Sequence, residues 1–158
     1  MADLTVTITE AVTLNGGSRG STNTLTVAGV DDVYHRIVTV PSGVDTTLAS
    51  FKSTVGIADN TMKLGNVKYI RVTNLDSSNS VTLSLQIETG NDDSAADHSA
   101  SIKLEAKKSF IMGTPDAGIA VSDANATYVS ALEDLESIIV DSASNTVQCE
   151  VFIASVVP

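Results

Sequence analysis

The chain has 158 residues and a formal net charge of −10, from 19 acidic against nine basic side chains, with one Cys, two His, no Trp, three Tyr and three Phe. Its 19 Val, 11 Ile and 18 Thr make nearly a third of it β-branched, a composition that fits pleated, half-buried surfaces. One domain of this size can bury a core without a disulfide framework, which a single Cys excludes in any case, and an acidic surface repels a phosphate backbone.

The amino terminus, MADLTVTITE, has no basic or apolar stretch of a secretion signal, and aliphatic runs such as Ile138 to Val140 are too short for a bilayer. The expectation is synthesis in a reducing cytoplasm, with neither secretion nor membrane insertion. Leu4, Val6 and Ile8 alternate with Thr5, Thr7 and Thr9, the period of a strand. Asn15-Gly16-Gly17-Ser18-Arg19-Gly20 reads as a flexible turn, because a phosphate cradle needs a Lys-Ser/Thr pair and a following helix. Residues 1–20 are expected to form a strand or arm, open to contact with a neighbouring subunit or a larger surface, and residues 21–158 a single sandwich domain.

Thr24 to Val27 and Val33 to Val40 are the next predicted strands. Thr46 to Asn60 and Ala124 to Leu135 are expected to hold a short helix each; in the second, Tyr128, Ala131, Leu132 and Leu135 fall at i, i+3, i+4 and i+7. Between them, VKYIRVT (67–73) and SVTLSLQI (80–87) flank the turn-rich Asn74 to Asn79, which predicts a β-hairpin. Asn91 to Ser99 is a polar connector, followed by strands at Ser101 to Ala106 and Ser109 to Met112. ESIIVD (136–141) and TVQCEVFI (146–153) flank Ser142 to Asn145, predicting a second hairpin. Roughly eight to ten short strands separated by turns predict an all-β, antiparallel β-sandwich, jelly-roll-like or immunoglobulin-like, with one or two short helices at most.

Chemistry-bearing residues are sparse. A catalytic triad needs a nucleophile, a base and an orienting group, and the only histidines, His35 and His98, fall in a strand and a polar loop with no G-x-S-x-G elbow. Cys149 lies in an alternating segment and reads as a small buried hydrophobe. Asn91, Asp92, Asp93, Asp97 and His98 are the best candidates for a hard cation, but the spacing lacks the Gly and terminal Glu of an EF-hand. That cluster, Asp31-Asp32, and Asp116 with Asp123 all read as solvated loops. Lys103, Lys107 and Lys108 form the densest basic group and read as solvated residues that discourage strand pairing. A glycosidase needs only two placed carboxylates, which no sequence excludes, yet the stacking aromatics of a sugar site are scarce; Tyr69, Phe110 and Phe152 read as core. Asn125-Ala126-Thr127 matches a glycosylation acceptor, without the secretory context that gives such a match meaning. No catalytic, cofactor-binding or metal-binding residue is predicted, and the expectation is a protein that is not an enzyme.

From Thr46 onward, TTLASF, then VKYIRVTNLDSSNSVTLSLQI, then KLEAKKSFIM and LESIIVDSASNTVQCEVFI resemble, in that order, small β-sandwich virion proteins of tailed bacteriophages, especially cyanobacterial and marine phages. The resemblance implies a non-enzymatic head decoration or cement protein on the outer capsid surface. Its partners would be the major capsid protein and further copies of itself, with a homotrimer favoured, and neither nucleic acid nor membrane. A tail, collar or fibre component is the alternative, and a carbohydrate- or receptor-binding module the second. The likeness is one of hydrophobic and turn pattern, so no functional residue is carried over.

Overall fold

The computed structural model describes residues 1–54, 60–88, 96, 98–121, 129 and 131–157. The alternating segments become strands β1 (Ala2–Thr9), β2 (Thr13–Leu14), β3 (Gly17–Ser18), β4 (Thr22–Val30), β5 (Asp32–Val40), β6 (Thr46–Lys52) and β7 (Thr61–Lys63). After a 3-10 turn at Leu64–Asn66 come β8 (Val67–Asn74), β9 (Val81–Glu88), β10 (His98–Leu104), β11 (Ser109–Met112), β12 (Asp134–Asp141) and β13 (Val147–Ser155). No α-helix occurs among the described residues, and none of their helices is long and apolar enough to cross a membrane.

Two sheets face each other. Sheet I has the order β10-β9-β12-β6-β7, and sheet II the order β11-β8-β13-β5. Apart from β7, which joins β6 in parallel, all these pairs are antiparallel. Without β7, the four-strand orders 6-12-9-10 and 5-13-8-11 are those of a jelly roll, two Greek keys wrapped around one core. Val81, Leu83 and Leu85 of β9 and Leu135, Ile138 and Val140 of β12 meet Ile70 and Val72 of β8 and Val147, Cys149, Val151 and Ile153 of β13 in that core. The alternation in β9 and β13 arises because each strand belongs to a sheet with one dry face.

The predicted hairpins are corrected by this topology. β8 lies in sheet II and β9 in sheet I, while β12 lies in sheet I and β13 in sheet II, so both connections are arches that cross between layers. Alternation shows that one face of each arm is dry; it does not say whether the two arms share a sheet or oppose each other across the core. The six-residue and five-residue connections give the chain room to cross the ~10 Å between packed sheets. Among consecutive strands of the two sheets, β9 and β10 are antiparallel neighbours in one sheet and form a true hairpin.

Neither expected helix is observed among the described residues. Thr46–Lys52 is β6, held between β12 and β7 with Leu48, Ala49 and Phe51 buried; pairing on both sides overrides the local preference. Of the Ala124 to Leu135 segment, residues 124–128 and 130 lie outside the described residues, and Leu135 is already in β12, opposite Ile87. The amino-terminal strand pairs with β4 as far as Val30, so the element that includes residues 1–20 is a hairpin reaching to residue 30.

Candidate interaction surface

The hairpin is built from two repeating patterns in register. Leu4, Val6 and Ile8 of β1 stand opposite Val27, Leu25 and Asn23 of β4, and Thr5, Thr7 and Thr9 stand opposite Thr26, Thr24 and Thr22. One face of the ribbon is thus mostly apolar and the other a ladder of six threonines. Strands β2 and β3 extend it, closed at Asn15-Gly16, where φ values of 51° and 77° are those a type I′ turn requires. Gly20 is needed at the joint between the two ribbons, since a Cβ there would lie 1.8 Å from the Glu10 carbonyl oxygen. At the root, Asp31 N–H donates to Ser155 O at 3.1 Å and Val157 N–H to the Asp31 carboxylate at 3.0 Å.

The apolar face of the ribbon lies over the outer face of sheet II. Leu4, Val6 and Val27 pack with Val30 against Tyr69, Phe152, Ala154 and Val156, a second cluster separate from the main core. Tyr69 and Phe152 therefore serve this outer cluster, whereas Phe110 packs against the core between the sheets. The two outer rings meet edge to face, with centroids 6.2 Å apart, a favoured arrangement for aromatic quadrupoles. Further out the ribbon stands off from the sheet. Ile8 and Leu25, on the same ribbon face, are 45% and 46% exposed, and Ile111 of edge strand β11 is 42% exposed. Between Ile8 and Ile111 lies an open groove of about 330 Å³ lined by Leu4, Val6, Ile8, Tyr69, Ile111 and Phe152 together with Thr7 and Arg71. A smaller hollow of about 190 Å³ lies on the β4 side.

One charged network borders the groove. Arg71 lies 2.7 Å from one oxygen of Glu150, and His35 Nε2 lies 2.7 Å from the other. The Arg71 hydrogen bond, then that of His35, holds the Glu150 carboxyl below its ordinary pKa. The Arg71 guanidinium also sits 6.0 Å from the centre of the Phe152 ring. Burial raises the Tyr69 pKa, against the opposing pull of Arg71.

The residues weighed for catalysis do not come together. His35 is on the outer face of sheet II, His98 opens β10 in sheet I, and Cys149 faces the core, fully buried. Desolvation pushes the Cys149 thiol up to about 11, the behaviour of a packed side chain. Asn91, Asp92, Asp93, Asp97, Asp123 and the Asn125-Ala126-Thr127 acceptor lie outside the described residues, among which no group of three or more His, Cys, Asp or Glu could hold a metal ion. Asp116 precedes the Ala117 turn, Asp31 ties the hairpin root as above, and Asp32 opens β5. Lys103 of edge strand β10 pairs with Glu105 at 2.8 Å, and Lys107, in the following turn, donates to the Leu75 carbonyl. Sequence reasoning missed the buried pair Glu88 and Asp134, which face each other on β9 and β12. Asp134 accepts the Ala117 N–H at 2.6 Å and so ties the 113–121 segment to the sheet. It also missed Arg71 and Glu150, two isolated charges in apolar strands whose adjacency depends on β8 and β13 being neighbours. No protein-family model matches the chain, and no curated protein is similar to it at a significant level.

Proposed function

We propose that this chain is a non-enzymatic virion protein that decorates the outside of a tailed-phage head and reinforces the shell by bridging neighbouring capsid subunits. The observation that carries the reading is the amino-terminal ribbon, which leaves Ile8 and Ile111 exposed around an open groove and Leu25 exposed at the smaller hollow beside it. Contiguous exposed apolar surface of this kind marks interaction sites. The order of strand and turn segments, which resembles that of small phage virion proteins, supports the setting. The jelly roll is compatible with it, since this architecture serves in viral capsids as well as in lectins and cupins. A shell component gains avidity from many modest contacts repeated by symmetry, so it needs a stiff body and a presented surface rather than a reactive centre.

Stripping the protein from purified heads and adding it back tests this reading. Stripped heads are expected to lose survival on heating or in low salt and to regain it with the added protein. Unchanged survival in both states would contradict the role.

A further inference from the structure

We propose that the groove between the amino-terminal ribbon and sheet II receives the ribbon tip of a second copy of this chain, with Val12 and Leu14 of one copy seated beside Ile8, Ile111 and Phe152 of the next. The contact itself stands on the geometry below; only its place on a phage head rests on the preceding reading.

The ribbon presents two apolar features that its own fold leaves unmatched. Its tip carries Val12 and Leu14, 54% and 58% exposed, on a short two-stranded piece held by β2–β3 pairing, the Asn15-Gly16 turn and the Arg19 N–H to Val12 O hydrogen bond at 2.9 Å. Farther back, the same ribbon roofs the groove of about 330 Å³, roughly twice the ~150 Å³ cavity that admits a benzene ring. Two aliphatic side chains are thus suited to the space. The tip of the same chain is kept away from it. Neither Val12 nor Leu14 lines the groove; Leu14 lies six positions beyond Ile8, past the non-strand residues 10–12, and at about 3.3 Å per extended residue the chain can carry it at most ~20 Å from Ile8.

Charge favours another copy as the occupant. The chain carries −10, yet residues 1–30 hold only Asp3 and Glu10 against Arg19, a formal −1. Arg71 at the groove is neutralised by Glu150. Two acidic molecules therefore meet with least repulsion on this side. The fit of the ribbon to this sheet already exists within one chain, where Leu4, Val6 and Val27 pack on Tyr69 and Phe152, and a second tip would extend that same apolar cluster. Because tip and groove are different surfaces, the contact is heterologous and must close into a ring or run on as a filament; a soluble ring is the expected product.

The test uses the full chain with single cysteines, L14C and I111C, co-expressed with distinguishable tags and oxidised mildly. Buried Cys149 stays out of the reaction. A disulfide joining an L14C chain to an I111C chain is expected, with neither variant forming it alone. In parallel, sedimentation of the wild type is expected to give a discrete oligomer that L14D, V12D and I111D each convert to monomer with unchanged circular dichroism. A monomeric wild type at tens of micromolar, an oligomer that survives L14D, or cross-linking without preference for the mixed pair would overturn the contact. A ring that forms in solution from a chain absent from heads would retain the contact and reject the shell reading.

Discussion

Asn145 donates its side-chain amide to the Asn79 side-chain oxygen at 3.0 Å, joining the two arches at one end of the jelly roll. Asn79 belongs to the β8–β9 crossing and Asn145 to the β12–β13 crossing, 66 residues apart. Beneath them Asn74, fully buried, donates to Asn79 O at 2.8 Å and Leu104 O at 3.1 Å, and accepts the Asp76 N–H at 3.0 Å. Asp76 in turn accepts the Ser78 and Asn79 N–H groups, both at 2.7 Å. A polar side chain is tolerated at the edge of an apolar core because each of its atoms is partnered.

Asn74→Ala is expected to lower stability by about 3 kcal/mol, since it strips hydrogen bonds from groups that water reaches poorly. Asn145→Ala, which removes two exposed hydrogen bonds, to Asn79 and Ser144, is expected to cost about 0.5 kcal/mol. Urea unfolding of the two variants measures both. Equal effects would mean that Asn74 does not organise the arch.

Acid should weaken the fold through two carboxyls in particular. Backbone hydrogen bonds from Asn79 and Ser78 lower the Asp76 pKa, and Arg71 and His35 lower that of Glu150. A carboxyl with a depressed folded pKa binds fewer protons when folded. Its stabilisation is therefore full above the unfolded pKa and is lost as pH falls through the folded value. Melting temperature should thus fall between about pH 5 and pH 2, with a shallower fall in Asp76→Asn and Glu150→Gln. An unchanged slope in both variants would show that other groups govern the acid limb.

Cys149 should be chemically silent in the native protein. With its thiol buried and pushed up to about 11, it is expected not to react with a thiol reagent at pH near 8 until the chain is unfolded. Cys149→Ser is expected to cost about 2 kcal/mol by placing a hydroxyl in the core. Rapid native labelling would contradict this packing.

Phe152→Ala should loosen the ribbon more than the sandwich. The ring supports Leu4 and Val6 from outside sheet II, and its loss is expected to cost about 3 kcal/mol. Amide exchange should rise at residues 4–8 and 24–27 while β9 and β12 stay protected. Uniform loss of protection across both sheets would show that the outer cluster supports the whole fold.

The sequence made the layer character legible and left the wiring hidden. Alternation at Val81 to Ile87 and Val147 to Ile153 marked dry faces correctly, and the apolar context of Cys149 gave its burial. The same alternation cannot distinguish an arch from a hairpin, because both leave one face of each arm dry. Residues 46–52 carry no clean two-residue period, since a register shift at Ile138/Ile139 interrupts the β12–β6 pairing. The candidate surface was half visible. Leu4, Val6 and Ile8 announced an apolar face, whereas the groove depends on Tyr69, Ile111 and Phe152 from three strands brought together by non-local pairing.

The most direct test of the proposed shell role is whether this chain is present in purified tailed-phage particles, and in how many copies, measured by quantitative mass spectrometry against the major capsid protein. Hundreds of copies per particle are expected of a head decoration protein. A handful would move it to the tail, and its absence from particles would contradict the account.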